Sequence, residues 1–282
     1  MKVKVVTQTW LKNILCDPIS KKPLEFISGS HCINEDGFAY SILNHVPDLR
    51  IRLSQSEHDW LEGQEEFEKW MVSYLDNGEK NDQFYSVEQK ADTKMYDKLQ
   101  LEGRVLDVGG QLGHIRKYMK ENQEYCSIDP FMGVVDLVDG RKKLFDNYPL
   151  STPLNFIGGY AEFLPFKSMV FDTVNMRSCI DHFFNPELSL LEANRVLNNN
   201  GKLIIGMTVE VRSFKFVFKE SIRAILGIFT KKYRDHHIWH PTRENIIAMC
   251  KTCGFELEDE VWQSDNIWYS AFRKNNSTIF VT

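Results

Sequence analysis

The sequence predicts an α/β protein whose core is an open, mostly parallel β-sheet. Two features predict this fold. Short apolar strands alternate with helical segments between residues 104 and 209, and two more strands joined by a turn close the chain at 255–273. Such alternation is typical of a parallel sheet covered by helices, and the closing hairpin adds one antiparallel strand. Ligands of these sheets bind at the carboxyl ends of the strands.

Seven strands follow from short apolar or β-branched runs. Five belong to the alternating region and two form the closing hairpin. Their predicted ranges are 104–108, 125–129, 154–157, 171–176, 202–208, 255–262 and 267–273. The fold expected is therefore a seven-stranded sheet with a terminal antiparallel strand.

The helices are predicted from their end signals. A helix follows the glycine turn 109–113 and runs through Met119. Asn185-Pro186 supplies an N-cap and a first-turn proline for a helix to about residue 197, with Asn200-Gly201 as its stop. The last helix begins after Thr242 and ends at Gly254.

Composition sets broad limits. The chain has 282 residues and 33.0 kDa, enough for one large domain with a small accessory unit. Apolar residues make up 43% and charged residues 26%, which excludes a disordered or fibrous chain. The net charge of −5 argues against nucleic acid as the main partner. With no signal peptide and no long apolar run, we expect a cytoplasmic protein whose six cysteines are free thiols.

The chain divides into three predicted parts. Residues 1–52 carry short apolar runs broken by Pro and Gly, which indicates a small β domain. Residues 53–100 form a helical linker, because four aromatic residues recur at the spacing of one helix face: Trp60, Phe67, Trp70 and Tyr74. Residues 101–282 form the main domain, with a basic and aromatic lid at 210–241.

The turn after the first main strand is the clearest ligand signal. Asp107, Gly109 and Gly113 form an Asp-x-Gly-x-x-x-Gly pattern, and Val108 stands where a dinucleotide fingerprint needs its first glycine. Glycines let a backbone approach a ligand closely. Asp129 ends the next strand, where a carboxylate can accept hydrogen bonds from two ribose hydroxyls. The alternative is a plain strand-to-helix turn with a solvated acid.

Later segments add to this pattern. Gly159-Tyr-Ala-Glu-Phe-Leu-Pro-Phe166 follows the third strand, Asp181-His182-Phe-Phe-Asn-Pro186 follows the fourth, and Arg195-Val-Leu precedes Gly201. In this order the motifs resemble class I S-adenosylmethionine-dependent methyltransferases, in particular the large group that acts on small molecules. The resemblance covers about residues 100–273 and implies a Rossmann-like fold.

The resemblance also implies a cofactor site for S-adenosylmethionine, with S-adenosylhomocysteine as product. The implied residues lie around the methionine and ribose, the ribose hydroxyls, the adenine face, the adenine edge, and the sulfonium with the acceptor. In that order they are Asp107, Gly109, Gly110 and Gly113; Asp129; Pro130 and Phe131; Ala161 and Glu162; Arg177 and Ser178. Two positions depart from the family pattern: Gln111 replaces a glycine, and Tyr160 replaces the acid before Ala-Glu.

The amino-terminal part has a resemblance of its own. Cys16-Asp-Pro-Ile-Ser-Lys-Lys-Pro23 and the segment 37–49 are similar to the small zinc-ribbon-type domain that also serves as an activator subunit of tRNA and release-factor methyltransferases. A ribbon needs four zinc ligands, and only Cys16 and Cys32 are present here. We therefore expect a metal-free version. The Cys250–Cys253 spacing resembles half a zinc site but falls in a predicted helix, so no metal site is predicted.

His182 is the candidate general base, because it follows the fourth strand by six residues and histidine ordinarily titrates at about pH 6.5. The alternative is a histidine that only packs and hydrogen-bonds the backbone. Asp181 is a candidate for orienting it. His236, His237 and His240 are expected in a loop that closes over the acceptor rather than on a metal.

Residues 212–243 carry a local charge of +6, against −11 for the rest of the chain. Aromatic and aliphatic residues interleave with these charges. The segment predicts a lid that favours an anionic acceptor, such as a nucleotide-linked or lipid-linked sugar, and peripheral membrane contact through 212–234 is the alternative.

The function expected is methylation of a small molecule, a sugar or an anionic biosynthetic intermediate, on oxygen or nitrogen. Two alternatives stay open at this point. The first is an RNA methyltransferase, although Asn175-Met-Arg-Ser178 is not the Asn/Asp-Pro-Pro-aromatic clamp used on planar nitrogens. The second is a degenerate cofactor-binding partner, prompted by Gln111 and Tyr160.

Overall fold

The computed structural model describes residues 4–53, 60, 64–66, 69, 92–135, 149, 151–210, 237 and 239–275. Its strands are β1 Val5–Val6, β2 Leu24–Phe26, β3 His31–Asn34, β4 Ala39–Leu43, β5 Val46–Pro47, β6 Val105–Val108, β7 Tyr125–Asp129, β8 Leu154–Gly158, β9 Phe171–Arg177, β10 Leu197–Thr208, β11 Phe255–Trp262 and β12 Ile267–Lys274. Its α-helices are α1 Thr9–Ile14, α2 at 92–99, α3 Pro186–Val196 and α4 Arg243–Thr252. The 3₁₀ helices are His114–Tyr118, Met132–Val135, Ala161–Phe163 and Ile180–His182.

The main sheet has the order β1-β8-β7-β6-β9-β10-β12-β11. All neighbouring pairs are parallel except those that involve β12, which is antiparallel to both β10 and β11. The predicted α/β class and the antiparallel closing strand are confirmed. The sheet has eight strands rather than seven, because Val5–Val6 pairs with β8 at the edge. Two residues are too few to show a strand period in the sequence.

The central strands are covered on both faces, as a parallel sheet requires. Every residue of β6 and β7 is buried. Alternate residues of β6 belong to different apolar clusters, since Leu106 and Val108 pack in one and Val105 in the other. The two clusters therefore lie on opposite faces of the sheet. No helix among the described residues is long and apolar enough to cross a bilayer.

The predicted ends of two helices are confirmed by their caps. The Asn185 side chain accepts a hydrogen bond from the Leu188 N–H at 3.0 Å, with Pro186 as the first helical residue. Thr242 and Asn245 form a reciprocal capping box at the start of α4. These caps fix where the chain leaves the carboxyl edge of the sheet and enters each helix.

Two local predictions are wrong. The helix after the glycine turn is only the 3₁₀ segment His114–Tyr118, because Met119 is already extended and its N–H bonds the Arg116 carbonyl. Asn200-Gly201 does not stop α3, which ends at Val196; it lies in a bulge of β10, where the pairing register with β9 shifts between Leu197 and Lys202. The left-handed φ of 60° at Asn200 belongs to this bulge.

A second, antiparallel sheet has the order β2-β3-β4-β5 and lies within the first 52 residues. Its unit is attached to the main sheet through backbone contacts. The Cys16 N–H bonds the Pro165 carbonyl at 2.9 Å, and the Leu49 N–H bonds the Gly158 carbonyl at 2.8 Å. The second contact lies at the carboxyl end of β8. The division at residues 52 and 100 stays a prediction.

A buried carboxylate connects the turn after Cys16 to the β3–β4 hairpin. Asp17 Oδ1 accepts hydrogen bonds from the backbone N–H groups of Ile19 and Ser20, at 2.9 and 2.7 Å. Its Oδ2 accepts from the Asn34 amide at 2.7 Å and the Tyr40 hydroxyl at 2.8 Å. Burial opposes its ionisation, but these donors hold the pKa of Asp17 below its ordinary value. Asp17 thus cross-links the turn and the hairpin through hydrogen bonds.

We expect Asp17→Ala to lower the free energy of unfolding by about 3 kcal/mol, because four donors lose a charged acceptor. Urea denaturation measures this loss. Asp36→Ala is the matched control, since its side chain is 63% exposed and its removal should cost less than about 0.5 kcal/mol.

The contribution of Asp17 to the free energy of unfolding depends on pH in a defined direction. Because the pKa of Asp17 is lowered by folding, its stabilisation is present above about pH 4 and is lost as the pH falls through the folded-state pKa. Equal free energies of unfolding for Asp17→Ala and Asp36→Ala at neutral pH would contradict the cross-link.

Candidate functional site

The glycine turn lies at the carboxyl end of β6, beside the chain that leaves β9. Gly109 has a φ of 70°, and a Cβ there would lie 2.8 Å from Cys179 Cβ. Its N–H bonds the Ile128 carbonyl at 2.9 Å. No side chain fits between the two segments at this point, so the requirement for glycine comes from tertiary contact as well as from the backbone conformation.

Gln111 also adopts the left-handed conformation, with a φ of 43°. This explains why a glycine is usual here, since left-handed backbone is strained for other residues. The Gln111 carbonyl accepts a hydrogen bond from the Ser127 hydroxyl at 3.1 Å, which ties the turn to β7. The departure from the family pattern is therefore accommodated in the backbone of the same turn.

Asp107 lies beneath the turn and is 3% exposed. Its carboxylate accepts hydrogen bonds from the Tyr125 hydroxyl at 2.7 Å and the Asn175 amide at 2.8 Å. Burial raises the pKa of Asp107 to about 6, and the two donors act in the opposite direction. A Cβ on Gly110 would lie 2.4 Å from Asp107 Cγ. Asp107 thus supports the turn from below through protein partners, and its predicted contact with the cofactor is untested.

Asp129 ends β7, the strand next to β6. Its Oδ1 accepts the Phe131 N–H at 2.9 Å, which turns the chain at Pro130. Arg50 of the amino-terminal unit donates to the Pro130 carbonyl at 3.2 Å. Asp129, Pro130 and Phe131 therefore lie at one corner of the strand edge, as predicted, with the amino-terminal unit beside them.

The sequence analysis did not identify one buried carboxylate of this region, that of Asp92. Asp92, on α2, is fully buried and contacts His114 Nε2 at 3.0 Å, the Tyr269 hydroxyl at 3.1 Å and the Arg177 guanidinium at 3.2 Å. Burial opposes ionisation, yet the hydrogen bond to His114 and the charge of Arg177 hold the pKa of Asp92 below its ordinary value. This network joins α2, the glycine turn, β9 and β12 at the carboxyl edge of the sheet.

Arg177 was predicted to border the sulfonium. Its guanidinium contacts Asp92 and also donates to the Tyr269 hydroxyl at 3.2 Å, so it is held at the base of the site. Ser178 follows with a left-handed φ of 53°, and its N–H bonds the Gly206 carbonyl at 2.6 Å. Gly206 leaves room for the Tyr269 ring, since a Cβ would lie 2.5 Å from it. The close packing of the Tyr269 ring on Gly206 could not be predicted from a single sequence.

The segment after β8 is buried rather than open. The Tyr160 ring meets the Trp60 ring edge-on at 5.8 Å. The Glu162 carboxylate accepts the Asn185 N–H at 3.1 Å, next to the start of α3, and burial raises the pKa of Glu162 to about 7. Its carboxylate thus has a partner other than an adenine edge. The predicted cofactor role of Ala161 and Glu162 is untested.

His182 ends the 3₁₀ turn Ile180–His182 beyond β9. Its ring centre is 4.6 Å from that of His237, which comes from the predicted closing loop. His240 lies near, with its ring centre 5.7 Å from that of His237. His236 and the basic segment 211–236 lie outside the described residues, so the lid predicted at 210–241 stays a prediction. The remaining members of the aromatic face, Phe67, Trp70 and Tyr74, also lie outside them.

We expect Gly109→Ala to lower the free energy of unfolding by about 2 kcal/mol or more, because the methyl group overlaps Cys179 and the φ is left-handed. Gly29→Ala is the matched control, since a Cβ there meets no atom within 4 Å and its φ is not left-handed. Chemical denaturation of both variants measures the difference. A loss no larger than that of the control would show that the turn relaxes.

Comparison with known proteins identifies related domains and folds. Residues 106–205 match the family model described as "Methyltransferase domain". A curated relative, the ubiquinone/menaquinone biosynthesis C-methyltransferase UbiE of Blochmanniella floridana, is 27% identical over 172 residues. The match covers 54% of this chain and spans 65% of the length of that relative.

Solved structures share the fold. The 1,6-didemethyltoxoflavin-N1-methyltransferase of Burkholderia thailandensis, with bound 1,6-didemethyltoxoflavin and S-adenosylhomocysteine, aligns with a TM-score of 0.53 at 13% identity over 90% of this chain and 99% of that chain. A protein from Pyrococcus horikoshii aligns with a TM-score of 0.50 at 19% identity over 69% of this chain and 92% of that chain.

The family match begins at Leu106 in β6 and ends at Ile205 in β10, so it contains the glycine turn and the strand ends described above. The resemblance drawn from the motifs is confirmed over these residues, which are similar to a methyltransferase domain.

Proposed function

We propose that this chain transfers a methyl group from S-adenosylmethionine to a small-molecule acceptor, a sugar or another anionic biosynthetic intermediate. One observation carries the proposal: the glycine turn at β6 and the acid at the tip of β7 lie on neighbouring strands, with His182 on the turn beyond β9. Adjacent strand ends are where ligands bind in such sheets.

The cofactor is proposed to lie along this edge. Gly109, Gly110 and Gly113 give close backbone access to the methionine part. Asp129 accepts hydrogen bonds from the ribose hydroxyls, and Pro130 and Phe131 border the adenine. Asp107 and Arg177 act mainly from below, because their side chains have protein partners. Asp107 and Asp129 are both buried near the ends of neighbouring strands, which supports this placement.

The transfer is an in-line displacement. An oxygen or nitrogen of the acceptor forms a bond to the methyl carbon while the carbon–sulfur bond breaks, and neutral S-adenosylhomocysteine leaves. A hydroxyl acceptor also loses a proton, which His182 is proposed to accept. Cys179 Sγ donates to the Val108 carbonyl at 3.2 Å, directly before the glycine turn. His182 follows Cys179 by three residues and is therefore near the proposed cofactor site.

The acceptor class rests on charge. The +6 charge of 212–243 favours an anionic molecule, and this support is from the sequence alone. The relative named as a ubiquinone/menaquinone biosynthesis C-methyltransferase favours a second candidate, carbon methylation of an intermediate of quinone biosynthesis. The position of the new methyl group in the product separates the two candidates.

We expect S-adenosylhomocysteine to bind the full chain in calorimetry, and labelled methyl donor to modify a component of a fractionated metabolite extract. Asp129→Asn should weaken the binding by about tenfold or more, because charge-assisted bonds to the ribose are lost while an oxygen remains for the Phe131 N–H. Asp36→Asn, on the exposed β3–β4 turn, is the control.

The outcomes separate the alternatives. No binding at millimolar ligand supports a degenerate domain and overturns the proposal. Binding without transfer to any fraction supports a regulatory partner. Label recovered in RNA instead of in small molecules supports the RNA alternative.

We expect His182→Ala to lower kcat roughly 100-fold if the acceptor is a hydroxyl, since a positioned base contributes at least that factor. The turn should keep its shape, because Trp60 Nε1 donates to the His182 backbone carbonyl at 2.7 Å and alanine keeps that carbonyl. His31→Ala, on β3 of the small sheet, is the matched control. A near-normal kcat would remove His182 from catalysis.

A further inference from the structure

Three potential metal ligands meet where the turn after β9 faces the segment that leads into α4. One ligand atom from each of Asp181, His182 and His237 lies within 4.8 Å of the others. His237 Nε2 is 3.4 Å from Asp181 Oδ2, and the two imidazole ring centres are 4.6 Å apart. Among the described residues, no other group of three or more His, Cys, Asp or Glu side chains has ligand atoms this close together.

The Asp181 carboxylate is only partly satisfied. Oδ2 faces His237, but Oδ1 is buried and has no hydrogen-bond partner among the described residues. The whole residue is 7% exposed. A buried polar atom without a partner is destabilising, and more so when it is charged. A cation on this side of the carboxylate would offset that cost, and an imidazole can supply a nitrogen ligand to the same cation.

The two segments that carry the ligands are clamped by tryptophans. Trp60 Nε1 donates to the His182 carbonyl at 2.7 Å. Trp239 Nε1 donates to the Ile180 carbonyl at 3.3 Å, which fixes the chain two residues after His237 against the turn that carries the other two ligands. The Glu210 N–H bonds the Pro241 carbonyl at 2.9 Å and holds the same segment from β10. The backbone of the group is thus held from several sides, as a preorganised site requires.

We infer that Asp181, His182 and His237 bind one divalent first-row transition ion. Two imidazoles and a carboxylate suit zinc, iron or manganese, with ligand distances of about 2.1 Å. Three protein ligands leave coordination positions open for water or an acceptor oxygen. The spacing within 236–240 alone did not indicate this site, because its ligands come from segments 55 residues apart.

Binding of the ion depends on this geometry alone, whereas its use in methyl transfer rests on the proposed function. There it would hold the acceptor oxygen near the methyl group and lower the pKa of a bound hydroxyl, so that the proton passes to water before transfer. With the ion bound, His182 would serve as a ligand and water would take the acceptor proton; without the ion, His182 is the base proposed above.

Cobalt is the probe. The full-length protein is dialysed against a chelator and then titrated with Co²⁺, followed by competition with Zn²⁺. We expect one ion per chain and an absorption spectrum of nitrogen and oxygen ligands. A thiolate-to-cobalt charge-transfer band would place the ion on the cysteines and overturn the inference.

Three variants localise the ion. His237→Ala and Asp181→Asn should each weaken Co²⁺ binding by about tenfold or more, and His31→Ala should leave it unchanged. Far-UV circular dichroism and urea denaturation of the same samples report whether each variant is folded. Unchanged Co²⁺ affinity in both ligand variants would overturn the inference. Loss of Co²⁺ binding in the variants alone would support it even if no methyl transfer is found, so the two proposals fail separately.

Discussion

The burial of Asp107 beneath the glycine turn is the constraint on which the rest of the site depends. Tyr125 and Asn175 each donate to this carboxylate from a neighbouring strand, so β7, β6 and β9 are joined through one side chain. The turn can pass over the carboxylate only because Gly110 has no side chain at that point. Fixed strand ends and a bare backbone are what a cofactor needs for close approach.

Asp92 is another buried carboxylate that is held by protein partners at the same edge of the sheet. It lies on α2, outside the matched family segment, yet its partners His114 and Arg177 lie inside it. An acid from the preceding helix therefore completes the base of the methyltransferase domain. Tyr269 brings the antiparallel strand β12 into the same network. The hydrogen bonds from protein donors favour the charged form of both buried acids, against the effect of burial.

The amino-terminal unit is stabilised by a buried carboxylate and by contacts with the main domain. A sheet of four short strands has a small core of its own, so a cross-link within it adds stability. Asp17 makes such a cross-link by hydrogen bonding. Lys21 then pairs with Glu192 of α3 at 2.6 Å, and Arg50 reaches Pro130 beside Asp129. The unit thus packs against the adenosine side of the proposed site.

The sequence by itself determined the strands, the capped helices and the family, because strand periods, Asn185 and Thr242 caps, and the glycine turn are local signals. It also placed Asp129 and His182 at strand ends. Tertiary structure alone decided which side chains meet: Tyr269 reaches Asp92 across 177 positions, and His237 reaches Asp181 across 56. It also decided that Val5–Val6 adds an eighth strand and that the helix after Gly113 stops early. Such outcomes depend on packing between distant segments, and a single sequence contains no local pattern for them.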